Sequence, residues 1–228
     1  MSLLLGKERV KNEESDVSPI LRTKKYELNT FLFSTFVLGL VVYNNTYTQY
    51  KIKEFKNVWW YLLFMSVISM QLAEFFVWRN IKNPSYNNLF SKFVFLIILI
   101  QPICSLMIIS DHKVRNVLLC IYLAAAIPYS IYQYITYNFK TLVSPCGHLN
   151  WNLNVPGIIF AGWLFFFLFS FFYEYKIMYF AFGLITLLAI MYKYSYETSG
   201  SVWCWIVNSM SLYLAFYLLF YLPFYEKK

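Results

Sequence analysis

Residues 70–78 read MQLAEFFVW and place one carboxylate, Glu74, inside a stretch that is otherwise made for lipid. Insertion of an acidic side chain at the centre of a membrane helix costs roughly 2.5–3.5 kcal/mol, so such a group persists where a partner, a cation or a proton offsets that cost. Gln71, Glu74 and Trp78 recur at i, i+3 and i+7 and share one helical face, while Ala73, Phe75 and Phe76 lie largely around the other side. Gln101, Cys104 and Ser105 form a second polar stripe, and Ser201, Cys204, Asn208 and Ser211 a third. Between them, the segment SPCGHLNWNLN carries Cys146, His148, Asn150, Trp151 and Asn152. These residue types could do three kinds of chemistry. Glu74 could hold a cation or proton, with Gln101 and Asn208 as deeper hydrogen-bonding groups. Glu74 or His148 could act as a general base, with Cys146 or Cys204 as nucleophile. The third use is structural: Glu74 anchored on Gln71 or Trp203, His148 as a turn residue, Trp203 and Trp205 as interfacial belt residues, and Gln101 and Asn208 bonding helix to helix.

Positioning such groups requires elements suited to a bilayer. Of the 228 residues, 60% are hydrophobic, 22% aromatic and 13% charged, against roughly 25% charged in an average soluble domain. A water-soluble fold of this size could not hide that much apolar surface. Aromatic excess alone is weak ground, because an AT-rich genome favours the same residues. Spacing is stronger, since a hydrocarbon core of about 30 Å requires roughly 20 apolar residues per helix. Seven segments meet that requirement: 28–44, 57–78, 89–110, 115–136, 156–173, 177–194 and 202–222. The expected fold is therefore all-α, a polytopic transmembrane bundle of seven spans. Six is the fallback if YEYK, around Glu174 and Lys176, does not break the fifth from the sixth. Residues 1–26 mix six basic with four acidic residues and lack the apolar core of a cleavable signal. They read as a polar tail before one membrane domain over 27–224, with a short polar tail over 225–228.

Counting spans assigns the loops to sides. The end of the second helix, the fourth loop and the start of the seventh helix share one face, so Glu74, Trp78, the Cys146–Asn152 segment and ETSGSVWCWIVN from Glu197 to Asn208 can meet there. The opposite face offers SDHKVR, YEYK, the C-terminal EKK and the NNTYTQYKIKEFKN loop, which resemble ordinary helix-end charge. Polar side chains within lipid turn toward one another or toward water, because acyl chains offer no partner. The expectation is a one-sided polar vestibule gathering Glu74, Gln71, Gln101, His148, Trp151, Trp203, Cys204 and Asn208. Pro102 and Pro128, inside expected helices, should kink them or free carbonyls and so make room for a cavity.

The formal net charge of +8 comes from basic residues scattered at helix ends. It reads as a rim near anionic headgroups and not as a nucleic-acid surface. Eleven of the 19 Lys and Arg residues fall on the N-terminal side of a seven-span arrangement, which places the N-terminus in the cytoplasm. Cys146 and Cys204 share a face, where a disulfide or a shared metal is geometrically conceivable, although a reducing cytoplasm favours free thiols. Zinc donors are dispersed, and no motif calls for a metal or a cofactor.

The motifs MQLAEFFVW, LIQPICSL, CGHLNW and GSVWCWIVN, in this order, resemble an uncharacterised, domain-of-unknown-function family of multi-span membrane proteins of microbes and large DNA viruses. The resemblance covers about residues 57–210 and implies a helical membrane domain with the polar vestibule as shared feature; it implies no activity. Better-known seven-helix families fit poorly. A retinal protein needs a lysine deep in the last helix, and 202–222 contains none; ceramidase-type hydrolases carry several intramembrane histidines, and His112 and His148 both lie in expected loops. The leading expectation is binding or transport of a small polar solute or lipid headgroup, with a membrane enzyme or a structural membrane protein as alternatives. The partner in every case is the bilayer.

Overall fold

The computed structural model describes residues 26–49, 51–194 and 196–225. The polar tails expected over 1–26 and 225–228 lie almost wholly outside the described residues. Helix α1 covers Tyr26–Tyr47. It is followed by α2 (Val58–Arg79), α3 (Pro84–Leu106), α4 (His112–Thr136), α5 (Gly157–Tyr173) and α6 (Ile177–Lys193). The last stretch is stepped, with α7 (Tyr196–Asn208), α8 (Met210–Phe216), a π-helical turn over Tyr217–Tyr221 and α9 (Leu222–Tyr225). Among the described residues, five stretches are long and apolar enough to cross a membrane: α1, α2, α3, α4 and Thr198–Phe224; α5 and α6 are shorter apolar helices. A small antiparallel hairpin, β1 (Leu142–Val143) and β2 (Leu149–Asn150), interrupts the otherwise helical chain.

Local chemistry sets the helix ends. Asn57 accepts from the Trp59 amide at the start of α2, and Asp111 accepts from Lys113 and Val114 at the start of α4, both satisfying amides that have no helical partner. The third helix starts at Pro84, not near residue 89. Asn83 caps it through the Tyr86 amide, and Pro84 fits the first helical position, where no amide donor is needed. YEYK is a true break: Tyr175 turns the chain at φ 56°, and the Glu174 carboxylate accepts from the amide (2.6 Å) and hydroxyl (2.8 Å) of Ser110.

Helix α3 packs against α2, α4 and α5, while α7 packs against α2 and α6. Helix α2 is central, with 56% of its most apolar stretch buried, whereas α4 buries 6% and lies at the periphery. The main core joins Val41 of α1, Leu63 and Ile68 of α2, Phe167 of α5, Leu187 of α6 and Trp203 of α7. At one end, Glu54 pairs with Lys176 at 2.7 Å. Partial burial raises the Glu54 pKa, but its hydrogen bond to Lys176 outweighs that, with its own backbone amide and nearby positive charge, and leaves it below the usual carboxylate range. Charges expected to be ordinary helix-end residues thus tie the loops of this end together.

Pro102 shapes the wall of the bundle. A proline has no amide, so the carbonyl four residues earlier, Ile98, loses its helical donor. Trp163 of α5 supplies the replacement, its indole N–H donating to the Ile98 carbonyl at 2.7 Å. One residue on, the Tyr122 hydroxyl of α4 donates to the Leu99 carbonyl at 2.8 Å.

Candidate functional site

At the opposite end of the bundle, the segment between α4 and α5 is fastened to the first turns of α3. Asn87, fully buried, donates to the Thr141 carbonyl (3.0 Å) and accepts from the Thr141 amide (2.9 Å). Ser91 bonds the Thr141 hydroxyl at 2.7 Å, and Asn88 donates to the Phe139 carbonyl at 2.9 Å. From this clamp the chain runs into the hairpin, whose turn places Gly147 at φ 79°, a conformation that favours glycine. Pairing of Val143 with Leu149 then delivers Trp151 over the end of α2. The clamp residues were not singled out in the sequence; their amides and hydroxyls carry no motif, and only the fold brings residues 50 and more positions apart together.

Trp151 donates its indole N–H to Glu74 Oε1 at 2.9 Å. Gln71 approaches Oε2 with its amide nitrogen at 3.5 Å, and Ser201 of α7 stands beside the same carboxylate. Glu74 is fully buried. The Trp151 ring covers it. Gly200 allows this, because a Cβ there would lie 2.6 Å from the Trp151 ring. A further carboxylate joins from α1. Glu27, which the sequence places at the margin of the first span, is 6% exposed and lies within electrostatic reach of Glu74 and Cys204. A charge at the edge of an apolar run looks solvated in sequence, and only the packing of α1 against α8, seen in the Ser34–Ser211 hydrogen bond of 2.9 Å, turns it inward.

On the other side of Trp151 lies a cavity of about 430 Å³ between α3, α4, α5 and α7, floored by residues 151–156. Its walls are largely apolar and aromatic, including Phe95, Tyr122, Phe160, Trp163 and Phe166. The polar lining groups are few: Gln101, Asn152, Asn154, Ser199 and Cys204, with the hydroxyls of Tyr122 and Tyr129. Exposed lining residues Ala125, Ile158 and Ile159 mark a mouth between the C-terminal half of α4 and the first turns of α5. Glu74 does not line this space.

The remaining candidates separate. Trp203 is buried but points to α6, donating to the Gly183 carbonyl (3.1 Å) and the Thr186 hydroxyl (3.2 Å), not to Glu74. Asn208 donates to Cys204 (2.9 Å) and reaches the Val67 carbonyl of α2 at 3.5 Å. His148 packs edge-on against Tyr194, 5.6 Å between ring centres, and partial burial holds its imidazole below the ordinary pKa. It is not among the cavity-lining residues. Cys146 is exposed and contacts the Ser144 hydroxyl, Cys204 is buried, and both are free thiols, so the conceivable disulfide is not formed. Among the described residues no three His, Cys, Asp or Glu side chains stand together in a metal-binding group. The arrangement therefore offers two adjoining features, a buried carboxylate cluster and an apolar cavity with a sparse polar lining, divided by the Trp151 ring. The chain matches no family model, and neither curated proteins nor solved structures give a match.

Proposed function

We propose that this is a seven-span integral membrane protein, its N-terminus on the cytoplasmic side, that binds a single-chain amphiphile in the cavity walled by α3, α4, α5 and α7. The observation that carries the reading is the chemistry of the lining: a largely apolar space of about 430 Å³ with few polar groups suits a hydrocarbon tail and a small headgroup better than a wholly polar solute. Gln101, Asn152, Asn154 and Ser199 are the groups placed to meet the headgroup. The mouth beside the outward-facing α4 lets such a ligand arrive from the bilayer without crossing water. Helices α5 and α6, at 17 residues each, are about 25 Å long, short of the hydrocarbon thickness by an amount that local thinning accommodates. Transport of a polar solute is the weaker reading, because the Glu74 carboxylate sits behind Trp151 and outside the cavity. An enzyme with His148 as base is weaker too, because His148 lies against Tyr194 and outside the cavity.

The test is binding of a fluorescent lysophospholipid to the purified protein in micelles, with Gly162→Trp as the blocking variant. Gly162 lines the cavity and has no atom within 4 Å of an added Cβ, so the indole should occupy the space without distorting α5. Binding at least tenfold weaker, about 1.4 kcal/mol, with an unchanged melting temperature is expected. Equal binding by both proteins, or none by either, removes the proposal.

A further inference from the structure

The Glu74 cluster has more acceptors than donors. Glu74 receives Trp151, with Gln71 and Ser201 beside it. Against these stand Glu27 Oε2 and Gln71 Oε1, both buried and both without a hydrogen-bond partner. The orphaned Gln71 oxygen belongs to the same amide whose nitrogen faces Glu74, so it lies at the carboxylate and not elsewhere on α2. Glu27 from α1 and the Cys204 thiol from α7 lie within electrostatic reach of Glu74 on α2, and the side chains of all three residues are buried. Among the described residues no basic side chain pairs with them: the ion pair there is Lys176 with Glu54, at the other end of the bundle. Two carboxylates enclosed without a counter-charge are unfavourable in a low-dielectric interior. Hard oxygen donors left over in such a place suit a proton or a small hard cation, which take oxygen ligands readily.

We propose that Glu27 and Glu74 form a buried dicarboxylate that takes up one positive charge, a proton or a sodium ion, between α1 and α2, with Gln71 Oε1 and the Ser201 hydroxyl as accessory oxygen ligands. Uptake is simple association: a proton or ion leaves water and binds carboxylate oxygen, with no bond broken in the protein. It neutralises the pair. The site is independent of any occupant of the cavity, from which the Trp151 ring separates it.

The experiment uses the full-length protein in micelles without added ligand. Infrared difference spectra of the wild type across neutral pH detect a protonated buried carboxyl directly. Thermal melts in sodium chloride against choline chloride at equal ionic strength detect the ion. A protonated-carboxyl band that disappears in Glu27→Gln or Glu74→Gln supports the proton. A saturable upward shift in melting temperature with sodium, absent in either variant, supports the ion. The wild-type readings stand by themselves if a variant fails to fold, and Glu27→Asp, which keeps the charge, should retain a weakened response. Both carboxylates ionised at neutral pH with no sodium response, or a carboxyl band untouched by both variants, overturns the proposal.

Discussion

Replacing Trp151 with Phe keeps an aromatic ring over Gly200 but removes the indole N–H that donates to Glu74 at 2.9 Å. Glu74 is fully buried, so water does not take the donor's place without opening the structure. A net hydrogen bond contributes about 1 kcal/mol between neutral groups and roughly 1.5–3 kcal/mol when one partner is charged. The smaller ring also loses packing, which is why the single variant is not sufficient. In a double-mutant cycle with Glu74→Gln, the packing loss appears in both backgrounds and cancels, leaving the coupling between indole and carboxyl. A coupling of about 1–3 kcal/mol is expected, read from chemical denaturation in micelles. Hydrogen exchange of the Trp151 indole supplies a second, local readout and should quicken in Glu74→Gln. Additive effects within about 0.5 kcal/mol, with indole exchange unchanged, would show that Trp151 does not cover Glu74 and would remove the division between cluster and cavity.

Other perturbations address the supports of the site. Gly200→Ala puts a Cβ at 2.6 Å from the Trp151 ring, so the ring must shift; the expected result is loss of protection of the same indole in exchange measurements. Asn87→Ala leaves the Thr141 amide with the Ser91 hydroxyl at 3.2 Å as its remaining partner; a loss of about 1–3 kcal/mol and faster exchange across 141–150 are expected. Trp163→Phe strips the Ile98 carbonyl of its donor and should cost about 1 kcal/mol, whereas in a Pro102→Ala background the restored helical amide should offset part of that loss. His148 has a folded pKa below its unfolded value because of burial. The unfolded chain therefore binds the proton more readily, and stability present at higher pH should fall on acidification through about pH 6.5 and below; His148→Phe should flatten that part of the pH–stability curve.

The sequence by itself determined the helical membrane character, because apolar run length against bilayer thickness is a local property that any contiguous stretch exhibits. The polar stripe along α7 and into α8 was legible in the same way: Ser201, Cys204, Asn208 and Ser211 recur at helical spacing and are all buried. So was the shared face of Gln71, Glu74 and Trp78, each at most 1% exposed. Span parity brought Trp151 and Glu74 to one end of the bundle, but it could not say which of several nearby donors would take the carboxylate. That choice went to Trp151 and not Trp203, because the Asn87–Thr141 clamp and the hairpin aim the one, while Gly183 and Thr186 hold the other against α6. Only the tertiary structure turned Glu27 inward, since the burial of a residue at a span margin depends on which helix lies beside it. It also separated His148 from the cluster and opened the cavity between α4 and α5. Such outcomes depend on contacts between residues distant in the chain, and neither composition nor periodicity encodes those contacts one segment at a time.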